Sequence, residues 1–473
     1  RERLRTEPEY KAKHEARRQI PPSLGSIRER LPPWPLGASC KVDMDFQTAC
    51  FKENGIQPLM RARPEVAAEV LLALIIEDQP EREYGSRWDE VELGIEYAQD
   101  SYPTAFWKSP FFPFLQIAPA AALKAIIALV NFCTERWVAE IMQGREGPAP
   151  GLTLQMAEGQ EKTFAGWWQV FDWTQTNSNH NGNLFSALDA LERWLTLQID
   201  ASVDVTPYVE QILREGASTA LIGLLVNVGK YRPPLFSGLL APLLTDPHVF
   251  YWDGGRVKNI DYKFVGWSWL QAGEAVFEFA RSWTLAAHRQ KALQNVVIDL
   301  LTADTAVAAR LQTLIPNWSL PEDPKEALEF KLLFAALNRD NYRLITDPEK
   351  GAEILAFACP ADISLEVQSW QDEHAKPLQY LLLPERCEKY LQAQQTLGDD
   401  DAAYLHNLLI ECEADAAGDE SARAKYRLAL AATLIVLADS WLAKTPKAKE
   451  DTLSIVRTSI GDVASTAEEI RSS

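Results

Sequence analysis

Residues that carry chemistry are scarce in this 473-residue chain. The six cysteines are Cys40, Cys50, Cys133, Cys359, Cys387 and Cys412, and no two form a Cys-x-x-Cys pair. That excludes the common zinc and dithiol spacings. The cysteines read as buried or incidental thiols in a reducing compartment, and a chain of this size needs no disulfide staples. The six histidines are His14, His180, His248, His288, His374 and His406, with no two within five residues and no His-Glu-x-x-His. A helical metalloprotease site is excluded with them. Asp372-Glu373-His374 is the one cluster that resembles a ligand set, and a charged helix end accounts for it. No Gly-x-Ser-x-Gly elbow is present, and Ser186 and Ser218 fit the first turns of helices.

Long apolar runs are also missing. The longest, near Ala118–Val130 and Ala429–Leu437, fall short of the roughly 18 residues of a membrane span. Positive charge is in deficit, with 47 Lys and Arg against 66 Asp and Glu and a net charge of −19. A protein whose main task is to grip a phosphate backbone needs a positive face, so nucleic acid is an unlikely partner for the body of the chain. The first 30 residues are the exception, with nine basic against five acidic side chains. They fit a solvated helix or tail. The charged start RERLRTEPEYKAKHEARRQ is no signal peptide, so a cytoplasmic location is expected. The chain does not begin with Met, which suggests a piece of something longer.

What is present is helical periodicity. PEVAAEVLLALIIED from Pro64 puts Val66, Val70, Leu71, Leu74 and Ile75 on one face. Leu123, Ile126, Ile127, Val130 and Trp137 do the same over Ala120–Met142. From Leu184 to residue 245 four short helices follow in close order: Leu184, Leu188, Leu191 and Leu195 form a stripe, Pro207 opens a helix and Gly216 closes it, and Ser218 caps the next. Further helices are expected near 270–281, 283–303, 304–314, 324–337, 365–372, 384–395, 401–416, 421–442 and 447–470, with Asp323-Pro324 and Asp347-Pro348 as starts. Asp399-Asp400-Asp401 suits the first turn of a helix, and its spacing is wrong for a calcium loop.

Two stretches break the pattern. Residues 152–156 and 162–170 fit a β-hairpin, and Asp253-Gly254-Gly255 between aromatic stretches predicts a second over 248–269. The expected fold is all-α, a multi-helix stack of HEAT or armadillo type with one or two small β-hairpin insertions. Its expected parts are a charged helix and Pro-rich wrap (1–63), a first helical domain (64–143), an irregular insertion (144–183), a helical stack with a hairpin (184–320) and a C-terminal helical domain (321–473).

Nothing in the sequence completes a catalytic set. Gly223 and Gly229-Lys230 are the nearest approach to a phosphate-binding loop, but Tyr231 stands where Ser or Thr should hold Mg²⁺, and a helix occupies the space between the glycines. Lys230 reads as a basic residue at a helix end. Of fifteen tryptophans, eleven cluster at 88–137, 167–194 and 252–283. A Trp-rich helical toroid with two carboxylates, Asp172 beside Trp167, Trp168 and Trp173 and Asp253 beside Trp252, would describe a glycoside hydrolase. Aromatics near turns more commonly plug the space between helix layers. Trp88, Trp107, Trp252 and Trp267 are candidate anchors for a protein partner.

SPFFPFLQIAPAAALKAIIALVNFCTERW (109–137) and the segment from NLFSALDALERWLTLQID to GLLVNVGKYRPPLF (183–236) resemble helical regions of large prokaryotic P-loop NTPases of the STAND or AAA-like anti-phage defence type. The likeness spans about 130 residues and rests mostly on apolar spacings. It implies a non-catalytic region that recognises a protein or builds an oligomer, with ATP and Mg²⁺ bound only in a domain elsewhere. No cofactor, metal or catalytic residue is expected here, and no membrane. A freestanding HEAT-like adaptor and the toroid hydrolase are the alternatives.

Overall fold

The computed structural model describes residues 44–51, 55–76, 93–95, 104–142, 149–156, 159–175, 181–258, 274–303, 305–346, 353–372, 397–414 and 420–457, with the single positions 147, 387 and 391. Its helices begin where proline and short polar side chains permit. α1 (Met44–Phe51) and α2 (Gln57–Ala62) precede α3 (Pro64–Ile75), which Pro64 opens. Its buried face is Ala67, Val70, Leu71, Leu72, Leu74 and Ile75. α4 (Phe111–Ile117) leads into α5 (Pro119–Ile141), again started by proline. Cys133 lies on α5, fully buried, and burial pushes its thiol well above the ordinary range.

The hairpin expected near 152–170 is there: β1 (Gly151–Gln155) pairs antiparallel with β2 (Glu161–Ala165), Leu152 opposite Phe164. Leu154, Leu152 and Phe164 turn inward while alternate residues stay in solvent. The short α6 (Trp168–Phe171) follows. α7 (Gly182–Asp200), α8 (Thr206–Glu215) and α9 (Thr219–Tyr231) form the centre. Gly216 closes α8, and the Ser218 hydroxyl caps α9 by accepting from the Ala220 N–H. PPLFSGLLAPLL forms two 3₁₀ turns, Pro233–Ser237 and Ala241–Leu244.

The second hairpin expected at 248–269 does not form over its described part: residues 247–258 are α10 (Pro247–Lys258). Asp246 caps its start by accepting from the His248 N–H at 2.9 Å. Asp253 and Arg256, three residues apart, share one helix face and are drawn into the same buried ion cluster. Gly254 and Gly255 face open space, so the helix tolerates them at about 1 kcal/mol each. α11 (Glu274–Thr284), α12 (Ala287–Gln290), α13 (Leu293–Ala303), α14 (Thr305–Leu314) and α15 (Pro324–Leu337) complete the helices of this part, and Asp323 caps α15 through the Glu326 N–H. A hairpin that the sequence reading missed follows: β3 (Tyr342–Thr346) pairs with β4 (Glu353–Phe357). Asp347-Pro348 lies outside the described residues.

The chain divides into two compact units, Arg1–Pro360 and Ala361–Ser473. One continuous apolar core runs through the first, from Cys50 to Leu337. The second contains a helix over 361–372, α16 (Asp399–Ala414), α17 (Glu420–Leu437), α18 (Asp439–Lys444) and a helix over 446–457. Asp399, Asp400 and Asp401 occupy the first turn of α16, where the helix dipole favours negative charge. Leu405, Leu409, Leu430, Leu434 and Trp441 build a separate core there. The fold is thus all-α with small β insertions. No helix among the described residues is long and apolar enough to cross a membrane.

Candidate functional site

Asp189 and Glu192 lie one helical turn apart on α7 and face inward, away from water. Buried carboxylates need cations, and α12 supplies one. Arg289 donates Nε to Glu192 Oε1 and Nη2 to Asp189 Oδ1, each at 2.8 Å. His288 Nε2 lies 3.2 Å from the same Glu192 oxygen. The second Glu192 oxygen accepts from Asn227 Nδ2 at 2.9 Å. Asn227 Oδ1 in turn accepts from Arg256 Nη2 at 2.8 Å. Arg256 Nη2 also bonds Asp253 Oδ1 at 2.5 Å, and Lys230 Nζ reaches that oxygen at 2.8 Å. Asp253 Oδ2 accepts from the Leu293 N–H, and Arg256 Nη1 donates to Thr174 Oγ1 and the Gly223 carbonyl. α7, α9, α10, α12 and the start of α13 are tied by one buried polar network. Its charges balance: Lys230, Arg256 and Arg289 against Asp189, Glu192 and Asp253.

The network sets its own protonation. Burial pushes Glu192 up, but Arg289 and His288 overcome it and hold the carboxyl well below its ordinary range. Asp253 is treated likewise: burial raises it, Lys230 and Arg256 outweigh that, and it stays ionised. Burial lowers Lys230 to about 8, against the pull of Asp253. A glycosidase acid needs a raised pKa and access to a glycosidic oxygen. Asp253 is fully buried, with both oxygens engaged, so it serves as a structural counter-ion. Asp172 is half-buried on a 3₁₀ turn, Asp172–Thr174.

The glycines of the P-loop-like stretch are explained by packing. A Cβ on Gly223 would stand 2.2 Å from the Phe171 carbonyl oxygen, and one on Gly229 would stand 2.3 Å from the Phe236 ring. Lys230 lies in the last turn of α9, as its position suggests, and its ammonium is an ion-pair partner inside the protein.

Of the four tryptophans proposed as anchors, Trp88 and Trp267 lie outside the described residues. Trp252 is not the exposed anchor expected: α10 turns it inward, edge-on to Phe171 at 5.7 Å. Trp107 is half-buried against Phe106 and Phe279, at 4.9 and 5.0 Å. Among the described residues the exposed pair is Trp167 and Trp168, at 47% and 50% of full exposure. They follow Gly166, whose φ of +105° favours glycine and whose Cβ position is already occupied by Thr219 and Val170 within 2.7 Å. The turn is pinned on several sides. Ala165 N–H donates to the Ala217 carbonyl, and Gly166 N–H donates to the Pro150 carbonyl. The Trp167 carbonyl accepts from Phe171 N–H and Thr219 Oγ1. The Gly-Trp-Trp run beside a hairpin was the available signal, obscured because those tryptophans fitted the carbohydrate reading equally well.

One cleft of about 540 Å³ opens beside the network. Phe106, Phe279, Trp283 and Tyr231 give it ring walls, and Arg193, Lys291 and His288 add cationic or polar edges. Among the described residues no cluster of three or more His, Cys, Asp or Glu side chains could hold a metal ion. No protein-family model matches the chain, and no curated protein matches it.

Proposed function

We propose that this chain is a non-catalytic protein-recognition or oligomer-scaffold region of a larger P-loop NTPase of the anti-phage defence type. The observation that carries the recognition role is the Trp167–Trp168 pair. Two large aromatic side chains half in water, on a turn fixed by a glycine and backbone hydrogen bonds, lose little conformational freedom on docking. Tryptophan held this way is the residue type most enriched at the energetic centres of protein interfaces. The ion network beneath adds rigidity where the helices meet, so that the surface meets its partner preformed.

The NTPase affiliation rests on the resemblance of 109–137 and 183–236 alone. ATP and Mg²⁺ belong, on this reading, to a domain elsewhere. The test is mass photometry of the native full-length protein with and without ATP, repeated with Trp167→Ala/Trp168→Ala. A large assembly that responds to nucleotide and is weakened by the double substitution supports the proposal. An ATP-indifferent monomer overturns the scaffold and NTPase reading and leaves the freestanding adaptor.

A further inference from the structure

Arg193 is the surplus charge beside the cleft. It follows Glu192 on α7, but it points its guanidinium at rings instead of joining the buried network. The guanidinium carbon lies 5.1 Å from the Trp283 ring centre and 6.0 Å from that of Phe106. Arg289 stacks against the same indole at 4.5 Å, but its charge is met by Glu192 and Asp189. Among the described residues no carboxylate pairs with Arg193. The acids recorded with other lining residues are already engaged: Asp200 accepts from Tyr231 Oη at 2.5 Å, and Asp299 pairs with Lys291. Trp283 is 8% exposed, and its indole N–H has no hydrogen-bond partner among the described residues.

The cleft therefore offers a stacking surface with an exposed ring, Phe279, and a guanidinium held by rings that no carboxylate meets among the described residues. Its volume lies within the range of small-molecule sites. Such walls recognise flat rings by stacking, and a guanidinium recognises carboxylate or phosphate by paired hydrogen bonds. We propose that the Phe106–Arg193–Phe279–Trp283 cleft binds a small anion carried on a planar ring. The ring lies against Phe279 and Trp283, and the anionic group accepts from Arg193. The shared chemistry is a planar ring with one anionic arm, and the arm is either a phosphate or a carboxylate.

Two probes distinguish these sources: adenosine 5′-monophosphate and indole-3-acetate, titrated calorimetrically into the intact chain. Their neutral counterparts, adenosine and indole-3-acetamide, serve as controls. At least one acid is expected to bind with a Kd below about 1 mM, and its neutral counterpart at least about tenfold more weakly. Binding of the nucleotide alone assigns a phosphorylated ligand, and binding of the indole acid alone assigns a carboxylate. Arg193→Gln should weaken the acid by about tenfold or more, the loss of a charge-assisted contact. Phe279→Ala changes an exposed side chain, leaves folding intact, and should weaken acid and neutral probe alike. The proposal is overturned if neither acid binds, if the neutral probes bind equally well, or if both substitutions leave affinity unchanged.

Discussion

Replacing Arg289 with methionine keeps the side chain's bulk and removes its charge. Arg289 is fully buried and is the cation shared by Asp189 and Glu192. Its loss strands two carboxylates in a site from which water is excluded. His288 remains 3.2 Å from Glu192. Breaking a buried pair by removing one partner costs about 3–5 kcal/mol. For a unit that spans Arg1–Pro360 that corresponds to a fall in melting temperature of roughly 4–7 °C. The pH dependence separates lost charge compensation from lost packing. In the parent protein Glu192 has a depressed pKa, so its contribution is complete above the ordinary value of 4.5 and disappears as pH falls below it. In Arg289→Met, burial acts on Glu192 with less opposition and its pKa rises. The carboxyl can then be relieved by a proton, and the stability gap to the parent narrows between about pH 7 and pH 5. Thermal melts across that range measure it. A gap under about 1 kcal/mol, or one that stays constant with pH, would refute the reasoning that Arg289 compensates buried charge.

Gly229→Ala should destabilise by about 1–3 kcal/mol, read as a shift in urea midpoint, because the new methyl meets the buried Phe236 ring. Gly223→Ala should cost more, since the obstacle is the Phe171 backbone. Trp167→Ala/Trp168→Ala should leave the melting temperature nearly unchanged, within about 1 kcal/mol, because both rings are half in water; a large fall would mean that they hold the fold. Stability should decline as pH drops below about 4, when Glu192 and Asp253 begin to take up protons that the native state disfavours. Lys230 acts in the same sense at higher pH. Between about 8 and 10.5 the unfolded chain holds a proton that the folded chain has released, so this group's share of stability rises with pH. Cys133 should resist thiol reagents until the protein unfolds, as its burial and raised pKa require; rapid native labelling of this position, located by mass spectrometry, would contradict it.

The helices that the sequence made legible are those with both a stripe and punctuation. Pro64, Pro207, Ser218 and Asp323 mark real starts, and Leu184, Leu188, Leu191 and Leu195 all point into the core. Asp253-Gly254-Gly255 misled because turn propensity is local, whereas the buried pairing of Asp253 with Lys230 spans 23 residues. The β3–β4 hairpin was missed for a related reason. Tyr342–Thr346 and Glu353–Phe357 are short and apolar, and such runs do not distinguish strand from buried helix by period alone. The candidate sites were the least legible part. Asp189, Glu192, Asn227, Lys230, Asp253, Arg256 and Arg289 look like ordinary helix-surface residues, and only the packing of α7, α9, α10 and α12 brings them into one network. Arg193, Phe279 and Trp283 come from two helices far apart in the chain and carry no spacing that links them.

The most direct test of the recognition role is mass photometry of the native full-length protein, with and without ATP, in parallel with Trp167→Ala/Trp168→Ala. The account predicts a large assembly that depends on nucleotide and dissociates when the two tryptophans are removed. A monomer unaffected by ATP, or an assembly unaffected by the double substitution, would contradict it.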